Sequence, residues 1–302
     1  MAKVLVCDHV EIEHLALGPG IVVDNRPGIS REELLQSVGD YDALVVRSRT
    51  KVDREVLDKA VRLRLVARPG TGLDNVDVEY AKSKGVQVVN SPESLVEAVA
   101  EHVTLLILAM SRKLVEADSS TKQGRWEKNS LIGREAKGKT LGIVGLGRIG
   151  RRIAEVAKTL GMSVIIYDVI TIPPDVVERL QCKVVGLDRV FSDADYVTLH
   201  VPMTDETRHL VNASRLASMK KTAYLINTSR GGVIDEPALI TSLKEGVIAG
   251  AALDVFEKEP PTGEILKAPH VILTPHIGGQ TEEAQVDAIT MVGEKIRSFF
   301  NG

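Results

Sequence analysis

The sequence predicts an α/β protein made of two doubly wound parallel sheets, and three observations carry that expectation. Short runs rich in Val, Ile and Leu alternate with helical periodicity along most of the 302 residues. Those runs are largely apolar at successive positions, not at alternate ones. A single long helical stretch interrupts the alternation about a third of the way along. A continuously apolar run marks a strand covered on both faces, as in a parallel sheet flanked by helices. A helical pattern between two such strands completes a parallel strand–helix–strand unit.

The strand-like runs fall into two groups. Those at 4–7, 43–46, 65–67 and 86–89 precede the long helical stretch. Those at 141–144, 164–167, 196–200, 223–226, 249–253 and 271–273 follow it. Helical patterns such as 31–38 and 149–160 lie between strands. The long stretch, 94–122, carries Leu95, Val99, Val103, Leu106, Ala109 and Met110 at helical spacing and contains no Gly or Pro. It starts after Asn90-Ser91-Pro92-Glu93, a sequence suited to a helix N-terminus. The spacing predicts one unbroken helix connecting two domains. A last helical pattern, 281–299, follows the final strand and can return to the first domain. The expected organisation is a discontinuous, flavodoxin-like domain, 1–92 with 279–302, around an inserted domain at 93–278.

Composition excludes several classes of function. With 3% aromatic residues, the cores must be packed mainly with aliphatic side chains. A formal charge of −3 argues against general affinity for nucleic acid or anionic membranes. Cys7 and Cys182 are far apart in the chain and fit neither a disulfide framework nor a metal-binding spacing, so no metal is expected. The longest apolar run, 103–110, falls short of the ~20 residues that a membrane helix needs. Residues 1–8 read directly into a strand, which leaves no room for a signal peptide. The expectation is a soluble, cytoplasmic protein.

A dinucleotide site is expected at Gly145-Leu146-Gly147-Arg148-Ile149-Gly150, which directly follows a strand and opens a helix. In this pattern Gly145 permits the tight turn, Gly147 admits a pyrophosphate close to the backbone, and Gly150 lets helix pack on strand. The helix N-terminus offers unpaired N–H groups to the phosphates. The next strand ends at Asp168, 18 residues beyond Gly150, where a carboxylate can accept both ribose hydroxyls. Together these define a Rossmann-type NAD domain. Asp168 would repel a 2′-phosphate, and no Lys or Arg follows it before Arg179, so NAD is expected in preference to NADP. A second glycine cluster, Gly70-Thr71-Gly72, lacks the full spacing and reads by itself as a turn.

Three polar residues follow strands of the second group: Arg230, Glu259 and His276. In open α/β sheets the carboxyl ends of strands line the ligand site. Oxidising a 2-hydroxy acid calls for a cation to hold the carboxylate, a base to take the hydroxyl proton, and a carboxylate to orient that base. Taken singly, each residue has an ordinary alternative: a surface cation, part of an acidic loop, a residue at a helix entry. The other histidines are weaker candidates. His9, His14, His209 and His270 lie in polar loops, His102 is on the long helix, and His200 lacks a carboxylate partner in a comparable motif.

The strings Asn227-Thr-Ser-Arg-Gly-Gly-Val-Ile-Asp235, Ala252-Leu-Asp-Val-Phe-Glu-Lys-Glu-Pro260 and Thr274-Pro-His-Ile-Gly-Gly279 follow the glycine fingerprint in this order. The whole chain thereby resembles the D-isomer-specific 2-hydroxyacid dehydrogenase family. The resemblance implies that Arg230 binds the substrate carboxylate and polarises C2–O, that His276 is the acid/base, and that Glu259 pairs with it. It implies that Asp254 contacts the nicotinamide carboxamide. Thr71, Val201, Pro202, Thr207, Thr228, Ser229, Gly278 and Gly279 would lie along the NAD. Gly70 and Gly72 would then supply backbone donors to the substrate, against their reading as a plain turn. Val46-Arg47-Ser48-Arg49-Thr50, residues 68–77 and Gly124-Arg-Trp-Glu-Lys128 resemble the branch whose substrate carries a phosphate. Arg47, Ser48 and Arg49 would bind that phosphate, with Lys128 arriving from a partner subunit. The family pairs through the long helix, which implies a homodimer. Many members continue into a regulatory small-molecule-binding domain, and with the sequence ending at Gly302 no such feedback control is expected. Two alternatives remain: a glyoxylate or hydroxypyruvate reductase of the same family, and a corepressor-like protein that holds NAD as a structural ligand.

Overall fold

The structure, a computed structural model, describes residues 1–301. The chain forms two compact units, one of residues 1–96 together with 279 onward, the other of 97–278. In the first unit, β1 (Ala2–Val6), β2 (Ile21–Asn25), β3 (Ala43–Val45), β4 (Leu65–Arg68) and β5 (Gln87–Asn90) form a wholly parallel sheet in the order β2-β1-β3-β4-β5. Helices α1 (Arg31–Ser37), α2 (Arg54–Lys59) and α3 (Val78–Ser83) connect these strands.

Successive side chains of a strand point to opposite faces, and here both faces are apolar. Leu5, Cys7, Leu44, Val46 and Val66 pack with Leu34 of α1, Val56 and Leu57 of α2 and Ala81 of α3. Val4, Val6, Ala43, Val45, Leu65 and Ala67 pack with Ile289, Val292 and Ile296 of the C-terminal helix Glu282–Asn301. Covering both faces is why these strands read as continuous apolar runs.

The second unit takes in all but the first residue of α4 (Val96–Ser111), then α5 (Leu114–Lys122), and contains a seven-stranded sheet. Its strands are β6 (Thr140–Val144), β7 (Ser163–Tyr167), β8 (Lys183–Val184), β9 (Tyr196–Leu199), β10 (Tyr224–Asn227), β11 (Gly250–Leu253) and β12 (Val271–Leu273). All pair in parallel in the order β12-β11-β10-β9-β6-β7-β8. Helices α6 (Arg148–Thr159), α7 (Pro174–Leu180), α8 (Leu187–Asp193), α9 (Ala213–Ser218) and α10 (Glu236–Lys244) fill the connections, and α11 is the C-terminal helix. The strand order reverses between β6 and β9, the kind of switch point at which α/β sheets bind ligands.

The single helix expected over 94–122 is two helices, which corrects the sequence reading. At Lys113 the backbone turns left-handed, with φ 50°. The segment around Gly133 crosses the end of α4, and the Arg134 N–H takes the Ser111 carbonyl at 2.7 Å. A continuing helix would need that carbonyl for the N–H of residue 115. Tertiary contact ends the helix, and no Gly or Pro announces it. Strands β2 and β8 were also not anticipated. β2 is largely exposed along its length, and β8 is two exposed residues, so neither shows a buried strand's pattern. Among the described residues, no helix is long and apolar enough to cross a membrane.

Phe191 is one of the few aromatic residues and is wholly buried in the core of the second unit. Its replacement by Ala should destabilise that unit by about 3–5 kcal/mol, read as a fall in the guanidinium midpoint at unchanged slope.

Candidate active site

Three neighbouring strands, β10, β11 and β12, deliver Arg230, Glu259 and His276 from their carboxyl ends. The loop after β10 is shaped by Asn227, which is fully buried. Its amide nitrogen donates to the Arg230 carbonyl at 2.9 Å, and its oxygen accepts the Ser229 N–H at 3.0 Å and the Ser229 hydroxyl at 2.8 Å. The Arg230 guanidinium donates to the Ser229 carbonyl at 2.6 Å. Gly231 follows Arg230 for a steric reason. A Cβ there would lie 1.8 Å from the backbone carbon of Phe256, in the loop that carries Glu259.

His276 and Glu259 form a direct pair. The imidazole Nδ1 lies 2.9 Å from Glu259 Oε2, while Glu259 Oε1 accepts the Phe256 N–H at 3.3 Å. Both side chains are substantially exposed, at 50% and 41%. With Nδ1 donating to the carboxylate, Nε2 is the ring atom left to exchange a proton. The His276 backbone is left-handed, with φ 56°.

That strained turn is anchored by Asp254, which is 1% exposed. Asp254 Oδ1 accepts the Thr274 hydroxyl at 2.6 Å and the Ile277 N–H at 2.8 Å, and Oδ2 accepts the Gly278 N–H at 2.8 Å. His102 Nε2, on α4, lies 3.6 Å from Oδ1 and 3.2 Å from the Thr274 hydroxyl. Burial alone would raise the Asp254 pKa, but the bonds from His102, Thr274 and the two backbone groups outweigh it, and the pKa lies below the ordinary value. The resemblance implied a contact between Asp254 and a nicotinamide carboxamide. In the structure the carboxylate is buried and holds the loop after β12 through three hydrogen bonds.

The glycine loop fits a dinucleotide. A Cβ on Gly145 would come within 2.4 Å of the His200 carbonyl oxygen, and one on Gly150 within 2.2 Å of the Gly145 carbonyl oxygen. These contacts bring the ends of β6 and β9 together at the switch point. Around Gly147, by contrast, a Cβ would meet nothing within 4 Å, so the space beside the N-terminus of α6 is open. No side chain caps that helix, and its first turn, which includes Arg148 and Ile149, has no acidic residue. An anion is favoured there. Asp168 accepts the Leu146 N–H at 2.6 Å and the Ile170 N–H at 3.1 Å. A carboxylate has about four acceptor positions, so it retains capacity for ribose hydroxyls. Thr228, just past β10, has a buried hydroxyl with no hydrogen-bond partner, a group suited to a bound ligand. Thr207 holds the loop after β9 by donating to the Pro202 carbonyl at 2.6 Å, with Val201 half-buried beside it. His200, at the end of β9, lies 2.8 Å from the Thr198 hydroxyl, and burial pushes its pKa down to about 3.

In the first unit, the loop after β3 is organised from beneath by Asp8 and Asn75. Asp8 accepts the Arg47 N–H at 2.6 Å, the Thr50 N–H at 3.3 Å and the Thr50 hydroxyl at 2.8 Å. Asn75 donates to the carbonyls of Arg47 and Thr50 at 2.7 and 2.6 Å. The expected phosphate ligands separate here. The Arg49 guanidinium is drawn to Asp8 Oδ1 at 3.2 Å and the Ile29 carbonyl at 2.8 Å, so it braces the loop. The Arg47 guanidinium is half-buried without an ion-pair partner among the described residues. Burial lowers its pKa and the Asp8 charge opposes that shift. Ser48 is exposed. The Gly70 N–H, expected as a substrate donor, is used by the Ser91 hydroxyl at 2.8 Å, and the Thr71 carbonyl accepts from Asn90 at 2.6 Å. Gly72 is half-buried, Gly279 packs near Leu95, and Lys128 is fully on the surface.

The sequence reading missed His102 beside Asp254 and Thr274 in the second unit, and Asp8 and Asn75 beneath the loop after β3 in the first. His102 did carry a signal: it shares a helix face with the buried Ala98, Val99, Val103 and Leu106. A polar ring on such a face needs a partner.

The comparisons agree with this architecture. The family described as "D-isomer specific 2-hydroxyacid dehydrogenase, NAD binding domain" matches residues 104–278. A D-3-phosphoglycerate dehydrogenase of Synechocystis sp. is 45% identical over all of this chain and 55% of its own length. A hydroxypyruvate reductase of Thermotoga maritima is 44% identical over 85% of this chain and 84% of its own. The crystal structure of D-lactate dehydrogenase from Aquifex aeolicus, complexed with NAD and lactic acid, superposes with a TM-score of 0.87 at 29% identity. It covers 99% of this chain and 96% of that one. The chain spans only 45–58% of the length of the phosphoglycerate dehydrogenases it resembles.

The position of Asp168 leads to a test on cofactor choice. NADH should bind at least about tenfold more tightly than NADPH, since close charge repulsion of this kind costs more than about 1.4 kcal/mol. Fluorescence titration of both cofactors measures the ratio, and Asp168→Ala should collapse it.

Proposed function

The chain belongs to the D-isomer specific 2-hydroxyacid dehydrogenase family, and on that footing we propose that it oxidises D-3-phosphoglycerate to 3-phosphohydroxypyruvate, the first step toward serine. The observation that carries the chemistry is the 2.9 Å pair of His276 Nδ1 and Glu259 Oε2, one strand away from Arg230. Glu259 fixes the ring so that Nε2 faces outward as the base, and it stabilises the imidazolium formed when the C2 hydroxyl gives up its proton. Arg230 holds the substrate carboxylate, for which a planar guanidinium supplies two parallel donors. NAD, when bound, accepts the C2 hydrogen with its electron pair. In the reverse direction the imidazolium returns the proton to the carbonyl oxygen.

Gly145, Gly147, Arg148, Ile149 and Gly150 would hold the pyrophosphate, and Asp168 the ribose. Val201, Pro202, Thr207, Thr228, Ser229 and Gly278 would complete the cofactor site, and Thr71 and Gly279 are assigned to it by family resemblance alone. Asp254 supports the His276 turn, and by family resemblance it would also contact the nicotinamide carboxamide. The phosphate preference rests on Arg47, whose half-buried guanidinium without a carboxylate partner suits an anionic ligand, and on the phosphoglycerate dehydrogenases at 45% identity. Ser48 and Gly72 accompany it, and Lys128 would come from a second subunit. A homodimer is supported by the exposed apolar residues Leu105, Leu114 and Val115 on α4 and α5, with Trp126 beyond them. Such a protein would work in the cytoplasm.

A second reading has specific support. The Thermotoga maritima hydroxypyruvate reductase matches over most of both chains at nearly the same identity. Hydroxypyruvate and glyoxylate need the same proton and hydride chemistry and no phosphate site.

Two measurements test these assignments. His276→Ala should lower turnover by roughly 10²- to 10⁴-fold, while NADH titration shows binding retained; near-parental turnover would sink the acid–base role. Arg47→Ala should raise the KM for 3-phosphoglycerate at least about tenfold, because a charge-assisted bond contributes about 1.5–3 kcal/mol. The KM for hydroxypyruvate should hardly move. Equal losses on both substrates would make Arg47 structural, and a parent enzyme preferring glyoxylate or hydroxypyruvate would favour the second reading.

A further inference from the structure

His102 is mostly buried, 10% exposed, and is engaged with the loop that carries His276. The hydrogen-bond inventory around it has a single solution. The Thr274 hydroxyl has one proton, and at 2.6 Å it gives that proton to Asp254 Oδ1. Its 3.2 Å contact with His102 Nε2 therefore requires the ring to donate. Asp254 Oδ1 itself lies 3.6 Å from the same Nε2. The ring thus closes a chain that runs from α4 through Thr274 to Asp254, and from Asp254 to the Ile277 and Gly278 N–H groups.

Those two N–H groups immediately follow His276, whose left-handed backbone persists only if its surroundings hold it. Gly278 is fitted between the two partners: a Cβ there would meet Asp254 Oδ2 at 3.0 Å and His102 Cδ2 at 3.7 Å. We infer that His102 is a positioning residue of the active site, acting through Thr274 and Asp254 on the turn that aims the His276 ring. This role rests on the assignment of His276 as the acid/base.

The experiment compares His102→Leu, which fills the space without a donor, with His102→Gln, whose amide N–H can occupy the place of Nε2. Each is examined as the intact protein for turnover, NADH affinity, melting temperature and amide hydrogen exchange. In His102→Leu, turnover should fall about tenfold, within the 10²-fold that a misplacement of about 1 Å costs. NADH affinity should stay within about twofold, and exchange should accelerate at Ile277 and Gly278 while the rest of the sheet keeps its protection. His102→Gln should recover most of both effects. The inference is overturned if the Leu variant keeps parental turnover and exchange, if both variants lose activity equally, or if exchange rises throughout the unit. Exchange is read without turnover, so failure of the His276 assignment would show separately, as an active His276→Ala protein.

Discussion

A left-handed backbone at a residue with a side chain costs on the order of 1–3 kcal/mol, and His276 adopts one at the centre of the site. What offsets that cost is Asp254, whose two oxygens take the Thr274 hydroxyl and the two N–H groups beyond the turn. Without the turn, the chain leaving β12 would run on in extended form, and the imidazole would not meet Glu259. The pairing of His276 with Glu259 is therefore a result of backbone geometry set by a carboxylate that is hydrogen-bonded to neither side chain. Keeping that carboxylate charged in a buried place requires several donors at once, and the loop's own N–H groups provide two of them.

The parallel sheet explains why the functional residues gather as they do. Every strand of the second unit runs the same way, so every loop leaving a carboxyl end emerges on one side. Adjacent strands then bring loops far apart in sequence into contact: Gly231 against Phe256, Gly145 against His200. Glycine at these points is a packing requirement, since a methyl group would strike backbone atoms that cannot move aside. The motifs are legible as strings because each glycine and its neighbouring functional residue answer to one loop-to-loop contact.

How much of this could be read in advance depended on where the signal resided. Strands buried on both faces declare themselves by composition, so 65–67, 141–144 and 196–200 were recognisable within a residue or so of β4, β6 and β9. The edge strand β2 was not, because its exposed residues lack that composition. The end of α4 is imposed by the Arg134 N–H taking the Ser111 carbonyl, an event 23 positions away in the chain that leaves no local mark. The pairing of Glu259 with His276 was anticipated by motif. The engagement of Arg49 with Asp8, and of Gly70 with Ser91, was not, since both depend on which donor a neighbouring strand end happens to reach. His102 was passed over because a histidine within a helix is judged by its own face, while its partner belongs to a loop 172 residues away.

The loop after β3 has a property that bears on how such proteins diversify. Its path is dictated by Asp8 and Asn75, which grip only main-chain groups of Arg47 and Thr50 and the Thr50 hydroxyl, with Arg49 as an outer brace. The side chains of Arg47 and Ser48 contribute nothing to that grip. Scaffold and reader are encoded in separate letters. If Arg47 and Ser48 read the substrate as proposed, mutation can exchange a cation for a neutral or apolar group while the main-chain grip beneath them is kept. On the proposed reading, a lineage can thus move between phosphorylated and unphosphorylated 2-hydroxy acids by changes at these two positions.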